Sequence, residues 1–259
     1  MSRNSGRRRR EPSGGRKTPR RVDRGAGRRQ RQSEARVPVS EARAAIDDHV
    51  FRLRAALAAV NTAEVVAVTE RLWQIARAGG LVLIAGNGGS AANAAHMAVD
   101  LSKSTLGRPP RPDAVRVRAV ALSDASSVLT AWGNDEAYDT VFAEQITTLA
   151  RPGDAVLLLS ASGQSPNIVA AARAAHASGA VVVALLGGTG GAVRTLADHA
   201  IVVPSDDYQV VEDVHLAINH MMTTYIRLAL GAKMPRITVA GAPPARPQRA
   251  GTARRRGRR

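Results

Sequence analysis

The segment from Leu81 to Ser90 constrains the fold more than any other part of the sequence. An apolar run over residues 81–85 ends abruptly in the turn Gly86-Asn87-Gly88-Gly89-Ser90, and a helical segment follows from about Ala91. Glycines let the backbone pass close to a ligand, and the free N–H groups and positive dipole end of a first helical turn favour an anion. This order of strand, loop and helix predicts an α/β fold with a phosphate-sized loop.

A second apolar run, Ala155 to Ser160, ends in the same kind of loop. The loop reads Ser160-Ala161-Ser162-Gly163-Gln164-Ser165-Pro166, and a helical segment starts near Asn167. Three hydroxyls and one glycine therefore lie where a phosphate would dock. Either loop alone is common as a plain connection. The first loop also fits the dinucleotide pattern, but no second strand ending in an acidic residue lies about twenty residues later, which favours a phosphorylated small molecule over a nicotinamide cofactor.

The remaining pattern alternates strands with helices. Apolar residues at helical spacing predict two amphipathic helices before the first strand. The other predicted elements are strands near 115–122 and at 155–160, 181–186 and 200–204, and helices from about 91 and over 138–149, 167–178 and 211–230. Short, almost wholly apolar strands separated by helices are typical of a parallel sheet covered on both faces. The run Gly187 to Gly191 is interpreted as a flexible turn, with closure over a ligand as the alternative.

The charge of the chain lies in its two ends. Residues 1–36 carry fourteen Lys or Arg against three Asp or Glu, and residues 246–259 carry seven Arg and no acid. The segment 37–245 is left with sixteen basic and eighteen acidic residues, a net charge of −2 beside +16 for the whole chain. Such arginine-rich, apolar-poor ends predict disordered basic tails, assigned to 1–36 and 237–259. Non-specific binding to nucleic acid and a merely solvated extension are the two interpretations.

Several classes of protein are excluded by what the sequence lacks. It contains no cysteine, which rules out disulfides, thiolate metal ligands and a cysteine nucleophile, and which agrees with a cytoplasmic chain. No run reaches the roughly eighteen apolar residues of a membrane helix. The arginines near the N-terminus are not followed by an apolar core, so we expect no secretory signal and no membrane association.

Five motifs, taken in order, resemble the phosphoheptose isomerases, which are sugar isomerase (SIS) domain proteins. The motifs are Gly86 to Ser90 with His96, Ala121 to Asp124, Gly133 to Asp135, Ser160 to Asn167, and Glu212 to His215 with His220. The resemblance implies a three-layer SIS fold over residues 37–236, with a five-stranded parallel sheet flanked by helices and with N-terminal helices. It also implies a homotetramer with sites shared between subunits. The implied reaction is the aldose–ketose interconversion of sedoheptulose 7-phosphate and D-glycero-D-manno-heptose 7-phosphate.

The resemblance also implies which residues bind the phosphorylated sugar. Hydroxyls and backbone N–H groups at a helix start can hold a phosphate without a lysine. Asp124 is expected to bind sugar hydroxyls. The expected substrate-binding residues are Asn87, Gly88, Gly89, Ser90, Asp124, Ser160, Ser162, Ser165 and Glu212.

Two helices are expected to carry the chemistry. His96 and Asp100 are four residues apart and therefore share a helix face, and Glu212 and His220, eight apart, are also nearly aligned. These four side chains could hold a divalent metal such as zinc, or serve as acid and base in a reaction that passes through an enediol. In the second interpretation Asp100 is the base and His220 is the acid.

The sequence departs from the family pattern at two of these positions. Asp100 stands where the family has a glutamate, and Glu212 stands where the family has a glutamine. The shorter side chain of Asp100 withdraws its carboxylate by about one methylene. Misplacement on the order of 1 Å can cost about a hundredfold in reaction rate. The alternative function is therefore a non-catalytic SIS protein that binds a phosphosugar or associates with a replication initiator.

Overall fold

A computed structural model describes residues 36–107, 109–110 and 112–232. The chain divides into two compact units, Met1–Ala42 and Arg43–Arg259. The described part of the first unit is residues 36–42, where the first helix begins. Apart from Arg36, the basic tails predicted at 1–36 and 237–259 lie outside the described residues, as do residues 233–236 of the expected domain. Within the described residues, no helix is long and apolar enough to cross a membrane.

Helices and strands alternate along the described residues, which hold eight α-helices and five β-strands. In chain order these are α1 Val39–Ala58, α2 Thr62–Arg77, β1 Leu81–Gly86, α3 Gly89–Ser102, β2 Arg118–Ala121, α4 Ser126–Asp135, α5 Ala143–Leu149, β3 Ala155–Ser160, α6 Pro166–Ala177, β4 Val181–Gly187, α7 Gly191–Leu196, β5 His199–Val203 and α8 Tyr208–Ala229.

The five strands form one sheet, in which every neighbouring pair is parallel and the strand order is β2-β1-β3-β4-β5. The central strands are almost wholly apolar, as expected where both faces are covered: all six residues of β3 are buried, and only Ser160 among them is polar. Alternate residues of β1 point to opposite faces, Ile84 toward α2, α3 and α8, and Leu83 toward α5, α6 and α7. The predicted three-layer α/β architecture is confirmed.

Three local predictions need correction. The strand expected near 115–122 is limited to β2, and the helix expected over 138–149 is a 3₁₀ turn, Tyr138–Thr140, followed by α5. Helices α4 and α7 were not expected at all. In α4 only Leu129 and Trp132 pack against the core, and both are partly buried, so the apolar stripe is too short to mark a helix. Helix α7 begins on glycine and has six residues, too few for a helical period to show.

Candidate active site

The two loops singled out in the sequence follow neighbouring strands. From β1 the chain crosses to β2 on one side, and later returns to β3 on the other side of β1. In open α/β sheets, ligands bind beyond the carboxyl ends of the strands where the strand order reverses in this way. That crevice lies between the loop after β1 and the loop after β3.

The loop after β1 needs glycine at two places. Gly88 is the N-cap of α3 and has φ +54° and ψ −122°, a conformation that a side chain would strain. A Cβ atom on Gly86 would lie 2.7 Å from the backbone of Ser90, so the loop closes tightly on the first turn of α3. The first backbone N–H groups of α3 are thus held at the edge of the sheet, where they can face an anion.

A pair of amides ties the two loops together. Asn87 Nδ2 donates to Asn167 Oδ1, and Asn167 Nδ2 donates back to Asn87 Oδ1, both at 2.9 Å. The Tyr138 hydroxyl also donates to Asn87 Oδ1, at 3.1 Å. Asn167 is buried in the first turn of α6. The Asn87 side chain, expected to bind substrate, is therefore engaged in holding the loop after β1 against the start of α6.

The loop after β3 places its three serines in different ways. Ser160 Oγ accepts from the Gly163 amide at 3.0 Å, and Ser162 Oγ accepts from the Gln164 amide at 3.2 Å. Ser165 is the N-cap of α6, yet its side chain makes no capping hydrogen bond. All three hydroxyls keep their own protons for donation, because the two that are bonded act as acceptors.

Both loops line one cavity of about 140 Å³. The side chains of interest that line it are those of Asn87, Ser90, Ser160, Ser162, Ser165, Tyr208 and Glu212. Among the described residues that line the cavity, Glu212 is charged and none is basic. The cavity can therefore offer hydroxyls and helix N-termini to a phosphate, together with one carboxylate. Asp124 is exposed in the turn after β2 and is not part of this lining.

The Glu212 carboxylate lies directly over Gly89. A Cβ atom added to Gly89 would collide with this carboxylate, so the glycine makes room for it. The backbone carbonyl of Glu212 accepts from Asn93 Nδ2 at 2.8 Å, which fixes the start of α8 against α3. Asp207 caps α8, because its side chain accepts from the Gln209 amide at 2.9 Å.

A second cluster lies farther along the same two helices. The Asp100 Oδ2 atom is 3.4 Å from His96 Nε2 and 3.6 Å from His220 Nε2. The two imidazole nitrogens are 3.4 Å apart, and the rings meet edge to face with centroids 5.2 Å apart. Within the described residues, these three side chains are the group whose ligand atoms all lie within 4.8 Å of one another. The side chains of His96 and His220 are 46% and 55% exposed, and that of Asp100 is 13% exposed.

Glu212 does not join this cluster, although it was expected beside His220. Eight residues of α-helix rise about 12 Å, so two residues on the same face can still be more than two turns apart. The sequence period gives the face of a helix and not the height along its axis. The structure places Glu212 in the cavity at the start of α3 and places His220 with His96 and Asp100.

Sequence reasoning missed a further member of this neighbourhood, Asn219. Its Nδ2 atom donates to Asp100 Oδ2 at 2.9 Å, and its side chain is 1% exposed. The sequence did contain a signal for Asn219, because it is a polar residue on the otherwise apolar, buried stripe of α8, one position before His220. Tyr138 and Tyr208, which touch the loops, were missed because isolated tyrosines carry no pattern.

His215 is the one buried histidine in the described part of the chain. Burial lowers the pKa of His215 from 6.5 to about 4, and the Leu186 carbonyl opposes only part of that effect. His215 is therefore neutral at physiological pH. It packs in the core.

We expect His215 to weaken the fold in acid. Between pH 6.5 and 4 the unfolded chain binds a proton at this position and the folded chain does not, so stability falls as pH falls through that window. The loss attributable to His215 is roughly 3 kcal/mol. Chemical denaturation of the wild type and His215→Leu at both pH values measures it. An equal loss in the variant would assign the acid sensitivity to other groups.

With this geometry in place, comparison with known proteins is informative. Residues 48–187 match the SIS domain family. The chain is 46% identical over 162 residues to a phosphoheptose isomerase of Solidesulfovibrio magneticus, which covers 62% of this chain and 76% of that protein. It is 39% identical over 170 residues to one of Trichlorobacter lovleyi, covering 65% and 84%.

A solved structure extends the likeness beyond sequence. The phosphoheptose isomerase of Neisseria gonorrhoeae superposes with a TM-score of 0.65 at 31% identity, over 73% of this chain and 98% of that one. The SIS domain match contains both loops and the helix that carries His96 and Asp100. The chain therefore belongs to the phosphoheptose isomerase family of SIS domain proteins.

Proposed function

We propose that this chain is an aldose–ketose isomerase that converts sedoheptulose 7-phosphate to D-glycero-D-manno-heptose 7-phosphate or a close relative. The observation that carries the proposal is the arrangement along α3 and α8. A hydroxyl-lined cavity lies at the start of both helices, and Asp100 faces two imidazoles about two to three turns farther on. An extended sugar phosphate can therefore reach from one to the other.

The cavity is proposed to hold the phosphate. The hydroxyls of Ser160, Ser162 and Ser165 would donate to its oxygens, and the N-termini of α3 and α6 would supply backbone N–H groups and favourable dipoles. Asn87 would act mainly by keeping the two loops together. Gly88, Gly89 and Ser90 would let the first turn of α3 approach the ligand, and Asp124 would accept from sugar hydroxyls at the rim.

The reaction needs one group that removes a proton from carbon and another that protonates oxygen. In the ketose-to-aldose direction, Asp100 would remove a proton from C1 while His220 donates a proton to the C2 carbonyl oxygen, which gives the enediol. Asp100 would then return its proton to C2, and His220 would recover a proton from the C1 hydroxyl as the C1 carbonyl forms. Both groups end in their starting protonation states.

As the alternative to these acid–base roles, His96, Asp100 and His220 fit a divalent metal such as zinc, and the atoms that bind the metal would then not transfer protons. Two imidazole nitrogens and a carboxylate oxygen on one partly exposed surface are the donor set of many catalytic zinc sites, with a position left open. When bound there, the metal would polarise the sugar carbonyl as a Lewis acid. Glu212, which was also expected among the ligands, lies in the phosphate cavity and is left out of this proposal.

A direct assay tests the proposal. The full chain is incubated with sedoheptulose 7-phosphate, with zinc and after removal of metal by a chelator, and aldose formation is followed. We expect turnover, and elemental analysis of the purified chain reports whether metal is retained. No aldose at high enzyme concentration under either condition would refute the isomerase proposal.

Glu212 should weaken phosphate binding. Its carboxylate shares the cavity with the proposed phosphate and no basic side chain lines that cavity, so the two negative charges repel each other. We expect Glu212→Gln to lower the Kd for inorganic phosphate about tenfold, measured by isothermal titration calorimetry. Glu64→Gln, an exposed change on α2 with the same effect on net charge, serves as the control. Equal affinities in all three proteins would mean that phosphate binds elsewhere.

Assembly into a homotetramer is part of the proposal. Helix α1 exposes large apolar side chains, including Ile46 at 64% and Phe51 at 70%. Exposed apolar side chains of this kind mark a surface that another protein covers, and a second copy of the chain is the occupant that the family resemblance implies. The exposure of His96 and His220 agrees with sites shared between subunits. Sedimentation equilibrium of the full chain measures the oligomeric state.

The non-catalytic alternative is not favoured. The curated relatives of this chain are named as isomerases, and Asp100, despite its shorter side chain, still reaches both imidazoles. A cytoplasmic location and the binding of nucleic acid by the basic tails stay predictions.

A further inference from the structure

Asn219 occupies a position where an apolar residue would be expected. It lies on the buried stripe of α8 together with Val211, Val214, Ile218 and Met222, and its side chain is 1% exposed. Its Oδ1 atom is buried and has no hydrogen-bond partner among the described residues. A buried, unpaired amide oxygen destabilises a fold, so packing does not explain this asparagine.

The other end of the amide has a specific partner. Asn219 Nδ2 donates to Asp100 Oδ2 at 2.9 Å, the same oxygen that faces His96 and His220. The amide approaches from the buried side, and the imidazoles approach from the exposed side. A carboxylate oxygen has two lone pairs, so one can accept from the amide while the other stays available toward the imidazoles.

We propose that Asn219 is a positioning residue, which holds the Asp100 carboxylate in the rotation that presents Oδ2 to both imidazoles. The aspartate side chain would otherwise rotate freely about its last bond. This inference rests on the proposed isomerase function for its kinetic consequence, but its structural consequence, the orientation of Asp100, does not depend on any activity.

The variant Asn219→Leu removes the donor and keeps the branched shape and the number of heavy atoms. We expect kcat to fall about tenfold to a hundredfold, because misplacement on the order of 1 Å can cost about a hundredfold in rate. KM should stay unchanged, because Asn219 does not line the phosphate cavity. The melting temperature should stay equal or rise, because the unpaired buried oxygen is removed. A residue that only supports the fold would show the opposite pattern.

Thr223→Val provides a matched control. Thr223 lies one turn farther along the same stripe, is 6% exposed, and has an Oγ1 atom that also lacks a partner among the described residues. It has no contact with Asp100 in the described hydrogen-bond network. We expect an equal or higher melting temperature and an unchanged kcat. A loss of kcat as large as that of Asn219→Leu would assign the effect to packing of α8 and overturn the proposal.

A crystal structure of Asn219→Leu separates the inference from the proposed function. We expect the Asp100 carboxylate to rotate away from at least one imidazole. An unmoved carboxylate would overturn the positioning role even if kcat falls, and absence of turnover in the wild type would overturn the isomerase proposal alone. Asn219→Ala, which cannot overpack the site, repeats both measurements if the leucine variant does not fold.

Discussion

Replacing His220 by alanine should lower turnover of sedoheptulose 7-phosphate by about a hundredfold to ten-thousandfold, the usual contribution of a general acid or base. Binding of inorganic phosphate should change little, because the cavity of serine hydroxyls and helix N-termini lies about 12 Å away along α8. Asp100→Asn, which keeps the shape of the side chain and removes the base, should lose activity to a similar extent.

Steady-state kinetics and phosphate titration on the same preparations measure both effects. His176→Ala is the control: His176 is on α6, where its Nε2 atom meets the Leu196 carbonyl at 2.7 Å, outside the proposed site. Its kcat should match that of the wild type. Full turnover in His220→Ala would exclude a catalytic role for His220, whether or not Asp100→Asn is active.

Replacing Gly163 by alanine should have the largest effect on stability. Gly163 has φ +61°, and a Cβ atom there would collide with the backbone carbonyl of Gly190. The strain of a left-handed residue costs about 1–3 kcal/mol, and a backbone clash adds to it because neither loop can yield cheaply. The glycine run before α7 packs here against the serine loop, and the Val193 amide donates to the Gly163 carbonyl at 3.0 Å. The turn expected over Gly187 to Gly191 is present and lies against the serine loop.

Gly153→Ala separates the strain of the positive φ from the backbone clash. Gly153 also has a positive φ, +93°, but a Cβ atom there would meet nothing within 4 Å. This variant should lose only the conformational part, about 1–3 kcal/mol, whereas Gly163→Ala should lose more than this and also bind phosphate more weakly. Denaturant unfolding of both variants gives the comparison. Equal losses would show that the loops can move apart without cost.

The sequence was informative where one kind of residue filled a whole element. The apolar runs of β1, β3 and β4 marked buried parallel strands, and the glycine and serine turns marked the loops that line the cavity. Helix α4 escaped prediction because only its partly buried Leu129 and Trp132 pack against the core, so its apolar stripe is short. The sequence pattern therefore predicts a helix or strand best where many of its side chains pack into the core.

The candidate site was harder to predict, because its residues meet through packing of α3 against α8. His96 and Asp100 could be paired from their spacing, yet the place of His220 beside them depends on how two helices far apart in sequence are aligned. The same alignment separates Glu212 from that cluster and brings Asn219 to Asp100, 119 residues away. The periodicity of a single helix predicts neither the separation of Glu212 nor the contact of Asn219, because both depend on how α3 and α8 are aligned.

The amide pair between Asn87 and Asn167 has a consequence for how this protein is made. It joins residues 80 positions apart, on loops that follow β1 and β3. The elements α3, β2, α4 and α5 lie between these two strands in the chain. Contacts of such long range form late and slowly during folding. The phosphate cavity therefore cannot exist in a nascent or truncated chain that ends before β3. A ligand at one hundred times its Kd would stabilise the completed fold by about 2.7 kcal/mol, so a sugar phosphate would protect the folded protein against unfolding without speeding its formation.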